Sequence, residues 1–206
     1  MTQIKVCGMT DAQNIKEISA LGVDALGFIL AESPRQLSLK KAEKLIRKIP
    51  PFISTVAVTV NPETKELEKI INSHLFDYIQ FHGDETETLI AKSPLKNIKA
   101  LGISSVSDLG KIHKYEKMSA VDFLLLDNKS GSQKGGTGST FSWELLEEVT
   151  LNKPFILAGG LGPENIKKAV AQVNPEAVDL NSALEIKPGI KDVNLYKKTL
   201  NCLQEV

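Results

Sequence analysis

Eight short apolar runs alternate with segments of helical period along this chain, and few folds accept that order. The runs fall at residues 4–7, 25–30, 55–60, 78–81, 99–101, 123–126, 155–158 and 177–180. Between them, Leu39, Ala42, Leu45, Ile46 and Ile49 mark one helical face, and Leu67, Ile70 and Ile71 another. Ile166, Ala169, Val170 and Val173 follow the i, i+3, i+4, i+7 spacing, and Val193, Tyr196, Leu200 and Leu203 nearly so. The pattern is weakest in the helix expected within 105–117. Asp11 and Ser38 stand where N-caps belong, and Asn61-Pro62-Glu63 and Gly162-Pro163-Glu164 read as helix starts with proline in the first turn. Strict alternation predicts a parallel sheet with right-handed crossovers. Eight such units in about 200 residues predict an α/β chain folded as a (β/α)8 TIM barrel, a single domain over residues 1–206. An open doubly wound sheet is the alternative.

A chain of 206 residues can bury about 70% of its unfolded surface without staples. Its 25 basic and 25 acidic residues cancel, which argues against nucleic acid or a membrane surface as partner. No apolar run approaches the ~18 residues of a transmembrane helix, and the N-terminus lacks the apolar core of a signal peptide. Cys7 and Cys202 lie at opposite ends, with no metal-ligand spacing around either. A cytoplasmic, reduced, soluble protein is expected.

In a barrel of this kind the strand C-termini share one mouth, and chemistry is expected there. The apolar residues 123–126 are too few for a buried helix and suit a strand covered on both faces; they run straight into Asp127 and a loop rich in Gly and Ser. Asp127 alone reads as a cap, a solvated loop residue or a catalytic acid. The other exits add Cys7-Gly8, Ser33-Pro34-Arg35, His82-Gly83-Asp84, Gly159-Gly160-Leu161-Gly162 and Asn181-Ser182-Ala183, whereas the opposite loops carry mostly Lys, Pro and Ser. That asymmetry is the main functional signal.

The glycines at 159, 160 and 162, beside Asn181, Ser182 and Ala183, suit an anion site in which exposed amides reach a phosphate; a tight turn is the plainer reading. Neither a Walker loop nor a dinucleotide fingerprint is present. Cys7 reads as a small buried hydrophobe or as a base needing a lowered pKa. Paired with Asp127, it makes an acid/base couple suited to proton transfer on a sugar phosphate. Arg35, restrained by Pro34, suits a planar carboxylate or is an ordinary surface arginine. His82 is the one histidine at an exit, and it suits a ligand hydrogen bond or a structural role. No metal is expected, because histidines and carboxylates lack ligand spacing. Trp143 suits packing under the glycine loop more than covering a ligand.

The ordered motifs resemble one family. They are K-x-C-G at 5–8, S-P-R at 33–35, Q-x-H-G-D-E at 80–85, L-L-L-D at 124–127, G-G-T-G at 135–138, A-G-G-L-x-P-E-N at 158–165 and P-G-x-K-D at 188–192. Each is weak alone; the ordered set, spanning essentially the whole chain, resembles phosphoribosylanthranilate isomerase. The resemblance implies an isomerase of tryptophan biosynthesis, and so of aromatic amino-acid biosynthesis. Such an enzyme turns N-(5-phosphoribosyl)anthranilate into 1-(2-carboxyphenylamino)-1-deoxyribulose 5-phosphate by an Amadori rearrangement, and no cofactor is implied. It further implies Asp127 as the acid on the ribose ring oxygen and Cys7, as thiolate, as the base at C2. The pKa of Asp127 should then rise and that of Cys7 fall. Arg35 would hold the anthranilate carboxylate, and amides at Gly160, Ser182 and Ala183 the phosphate, with Gly159, Asn181 and His82 beside the ligand. The loop around Gly136 would close over the substrate. The chain departs from the family at Asn181-Ser182-Ala183, where Ser-Ser-Gly is common. It departs again at Leu30-Ala31-Glu32, where an aromatic and a lysine are more usual. Ala183 therefore requires a backbone of negative φ.

Two other readings fit the same scaffold. One is a barrel acting on a related sugar phosphate, which calls for metal-ligand histidines or a catalytic lysine at strand ends. The other is a non-catalytic metabolite-binding barrel, in which Cys7 and Asp127 are dispensable. The expected partner is a small phosphorylated molecule, bound by a monomer or homodimer.

Overall fold

The computed structural model describes residues 2–128, Leu146 and 151–204. Its first strands are β1 (Gln3–Cys7), β2 (Ala25–Ile29), β3 (Ser54–Thr59) and β4 (Tyr78–Phe81), followed by β5 (Lys96–Ile103), β6 (Phe123–Asn128), β7 (Phe155–Leu157) and β8 (Ala177–Leu180). All neighbours pair in parallel, and β8 returns to β1, closing a barrel. Between strands lie α1 (Ala12–Ala20), α2 (Leu39–Ile46), α3 (Thr64–Asn72), α4 (Glu87–Ile90), α5 (Leu109–Glu116) and α6 (Ile166–Val173). A hairpin of β9 (Glu185–Lys187) and β10 (Ile190–Lys191) precedes the final helix α7 (Val193–Gln204).

The strand period of two sorts the core into two shells. Cys7, Val56, Val58, Ile98, Ala100, Leu125, Ile156 and Ala158 fill the barrel interior. Their alternates, among them Val6, Leu26, Ala57, Ile79, Leu124 and Leu126, pack outward against the helices. Residues 123–126 are therefore covered on both faces, as a parallel strand requires.

Asp11 and Ser38 cap α1 and α2, accepting hydrogen bonds from the amides of Asn14 and Lys41. The two prolines do not occupy first helical turns. Glu63 is the N-cap of α3, so Pro62 precedes the cap, and Asn165 is the N-cap of α6, two residues after Pro163. The cause is engagement of the neighbouring asparagines. Asn61, at φ 45°, receives the amide of Asp84 on its side-chain oxygen, while Asn165 receives the amide of Gly162 and donates to the carbonyl of Gly160. Strand β5 extends well past the expected 99–101; Asn97, polar and outside that run, is buried in it, its side-chain nitrogen donating to the carbonyl of Ala120. Among the described residues no helix is long and apolar enough to cross a membrane.

Candidate active site

Four interior columns carry polar side chains up to the C-terminal mouth. They are Lys5–Cys7 on β1, Gln80 on β4 with His82 just past its end, Leu125–Asp127 on β6, and Asp179 on β8 with Asn181 just past its end. Cys7 and Asp127 thus sit on the same inward face of the same rim, from strands far apart in sequence.

Cys7 is buried, only 3% exposed, and its neighbour across the β1–β2 ladder is Gly27. A methyl group on Gly27 would stand 2.8 Å from the Cys7 sulfur, so glycine there makes room for the thiol. Below it, Lys5 and Asp179 form a buried ion pair at 2.8 Å. Burial would drive the Lys5 ammonium toward neutrality, but the Asp179 carboxylate outweighs it and the pKa of Lys5 is raised. The expectation of a lowered Cys7 pKa is not met: burial pushes the thiol up, and the opposing pull of Lys5 does not overcome it.

Asp127 faces His82, with Nε2 and Oδ2 3.6 Å apart and both side chains about one-third exposed. Burial lowers the His82 pKa, so the ring is neutral near pH 7. The Gln80 amide nitrogen lies 3.3 Å from Nδ1. A donor there leaves Nδ1 as acceptor and places the ring proton on Nε2, toward Asp127. The pair opens on a recess of about 160 Å³, shared with Gly83, Asp84, Gly102, Lys111 and Tyr115. The loop carrying His82 is braced from below. Lys99 donates to the carbonyls of Phe81 and Gly83 and to Glu85, whose carboxylate also takes the amides of Asn61 and Gly83. Hydrogen bonds from Lys99 and the Asn61 amide outweigh burial, and the Glu85 pKa is lowered.

Pro34 does not by itself present Arg35. The guanidinium is gripped by Glu185, Nε to Oε1 at 2.8 Å and Nη2 to Oε2 at 2.5 Å. The Arg35 stem crosses Gly8, whose φ is 75° and where a methyl group would come within 2.6 Å of the Arg35 Cδ. Buried Lys191 donates to Glu185 Oε1 and to Asn181 Oδ1, both at 2.7 Å. Burial alone would raise the Glu185 pKa, but hydrogen bonds from Arg35 and Lys191 bring it down to about 2. Glu185, Lys191 and Gly27 are site residues that sequence reading missed; the P-G-x-K-D motif was the signal for Lys191.

On the far side, Gly159 and Gly160 both have positive φ, at 99° and 66°, and the backbone around Gly160 is open. Ser182 and Ala183 begin a one-turn 3₁₀ segment, so their amides have no acceptor within it. Ala183 has the negative φ that alanine requires, and its methyl points toward Gly162. Of the glycine amides, that of Gly162 is taken by Asn165. Amides at a helical start and left-handed glycines are groups of the kind that can receive an anion. Gly136, the 135–138 loop and Trp143 lie outside the described residues. Among the described residues, no three His, Cys, Asp or Glu side chains are placed to hold a metal.

A family model described as N-(5'phosphoribosyl)anthranilate (PRA) isomerase matches residues 4–201. A relative from Petrotoga mobilis, named N-(5'-phosphoribosyl)anthranilate isomerase, is 51% identical over 206 residues, covering 100% of this chain and 99% of its own. The crystal structure of phosphoribosyl anthranilate isomerase from Thermotoga maritima is 32% identical, covers both chains fully and superposes with a TM-score of 0.90. A structure of the isomerase in complex with reduced 1-(o-carboxyphenylamino)-1-deoxyribulose 5-phosphate is 28% identical, again with full coverage of both chains, at a TM-score of 0.84.

Proposed function

The chain belongs to the N-(5'-phosphoribosyl)anthranilate isomerase family, enzymes of tryptophan biosynthesis, and on that premise we propose that Cys7 and Asp127 are its base and acid. The reaction converts N-(5'-phosphoribosyl)anthranilate to 1-(2-carboxyphenylamino)-1-deoxyribulose 5-phosphate. The observation that carries the residue assignment is the shared inward face of β1 and β6 at one mouth, with an anion cradle on β7 and β8 and a guanidinium on the loop after β2.

Asp127, in its acid form, gives its proton to the ribose ring oxygen as the bond from that oxygen to C1 breaks. The nitrogen lone pair then forms an iminium with C1. The cation makes the C2 proton acidic, and it stands where Cys7 must act. Cys7 rests as a thiol because burial disfavours its charge; it acts as base once its own proton has passed to solvent, a loss that the iminium and Lys5 both favour. Cys7 takes the C2 proton, the C1–C2 double bond forms, and the nitrogen regains its lone pair. The enolamine becomes the ketone as C1 is protonated and the C2 hydroxyl loses its proton. His82, neutral and facing Asp127 across 3.6 Å, borders the carboxyl on the side of the ligand. Arg35 takes the anthranilate carboxylate, and amides at Gly160, Ser182 and Ala183 take the phosphate, with Gly159 and Asn181 shaping that end.

Fluorescence decay of freshly made phosphoribosylanthranilate with wild type, Cys7→Ser and Asp127→Asn tests this. Wild type should consume it, and each variant should lose about a hundredfold or more in kcat. Turnover surviving both substitutions removes these two residues from the mechanism. The protein works as a monomer or homodimer on a small phosphorylated molecule; light scattering of the purified chain decides its assembly.

A further inference from the structure

The P-G-x-K-D motif has a place in the structure but no part in the chemistry so far. Pro188 and Gly189 turn the β9–β10 hairpin, with Gly189 at φ 87° and its carbonyl held by the Thr10 hydroxyl at 2.9 Å. A methyl group on Gly189 would lie 2.2 Å from the Thr10 oxygen, so only glycine lets the hairpin lie this close to the loop after β1. Asn14, buried on α1, clamps the backbone of Lys191 from both sides, taking its amide at 2.8 Å and donating to its carbonyl at 2.9 Å. The hairpin is thereby fixed from two elements, and it delivers one side chain: Lys191, wholly buried, aimed at Glu185 and Asn181.

We propose that Glu185, fixed by Lys191, is a positioning residue for Arg35, and that this pair sets the enzyme's selectivity for a substrate bearing a carboxylate. Glu185 uses both oxygens on Nε and Nη2 of the guanidinium, and its Oε1 also receives Lys191 and the amide of Gly189. The side chains of Glu185 and Lys191 are 6% and 0% exposed, so this carboxylate has little freedom to swing. Arg35 is left with Nη1, which has no hydrogen-bond partner among the described residues. A guanidinium held by two of its three nitrogens presents the third in one direction, at little entropic cost on binding. Without Lys191 the cluster would hold one cation and one anion. With it the cluster keeps a net positive charge, so Glu185 can orient Arg35 without cancelling its attraction for an incoming carboxylate.

The inference rests on the reading that Arg35 meets the substrate carboxylate, and the experiment separates the two. Inhibition constants are measured for reduced 1-(o-carboxyphenylamino)-1-deoxyribulose 5-phosphate and for its phenylamino counterpart lacking the carboxylate. The panel is wild type, Arg35→Met, Glu185→Gln and the double variant Glu185→Gln/Lys191→Met, with KM and kcat for the substrate alongside. Wild type should prefer the carboxylate-bearing compound, and Arg35→Met should abolish the preference. Glu185→Gln should reduce it about tenfold, the size of one charge-assisted hydrogen bond, with the loss falling on KM rather than kcat. The double variant removes the buried cation that Glu185→Gln leaves poorly paired, so it tests the same loss in a chain without that charge. Undiminished preference, or a lower KM, in either folded variant overturns the positioning role. A preference that survives Arg35→Met instead overturns the Arg35 assignment.

Discussion

The two sides of the mouth are built to opposite standards. Around β1, β2 and β8, the charged groups Lys5, Asp179, Glu185 and Lys191 are almost wholly enclosed and Arg35 is largely so, each hydrogen-bonded to another. Around β4 and β6, His82 and Asp127 are one-third exposed and face one another at 3.6 Å, beyond a direct hydrogen bond. The closed side carries Cys7 and Arg35, the proposed base and carboxylate grip, whose positions must be ready before substrate arrives. The open side carries Asp127, the proposed acid, which in that role must regain a proton in each cycle. Enclosure suits orientation and exposure suits proton supply, so one rim serves both needs by dividing them.

Breaking the closed side should be felt first as instability. Asp179→Asn leaves Lys5 buried without its counter-ion and should cost about 3–5 kcal/mol in urea denaturation. Gly8→Ala combines a left-handed backbone with a methyl against the Arg35 stem, and should cost about 1–3 kcal/mol with a raised KM. On the open side, His82→Asn should change stability by less than about 1 kcal/mol, since the pair is exposed, while lowering kcat.

Two pH profiles sharpen the same contrast. Lys5 is the chief group pulling the Cys7 pKa down, so Lys5→Met should move the rising limb of kcat/KM to higher pH; an unmoved limb would separate Lys5 from the base. Glu185 has a folded pKa of about 2, below its ordinary 4.5. Its stabilising contribution is therefore complete above pH 4.5 and lost as pH falls toward 2. Acid titration of wild type and Glu185→Gln should give stability curves that converge across that window.

The fold was legible because its signals are local. Strand β4 coincides with the apolar run 78–81, and the caps at Asp11 and Ser38 stand where residue type places them. Strand β5 was legible only at its centre, 99–101, since a polar residue such as Asn97 takes its place in the strand through a partner on another element, the carbonyl of Ala120. The site divides the same way. Cys7, Asp127, Arg35 and the glycines are visible as reactive or permissive residues at strand ends. What they meet is not visible. The burial that raises the Cys7 pKa, and the grip of Glu185 on Arg35 across 150 positions, are long-range facts.

The glycine beside the thiol carries a consequence for the history of this barrel. Because any side chain at position 27 would collide with the sulfur at position 7, the two cannot be altered independently. A lineage that keeps cysteine at position 7 inherits glycine across the ladder. One that exchanges the cysteine for a smaller group relieves the tightest of these contacts, leaving those to the Cα and Cβ of residue 7 at 3.2 and 3.3 Å. The two positions form one unit of inheritance, and related sequences should show them changing together.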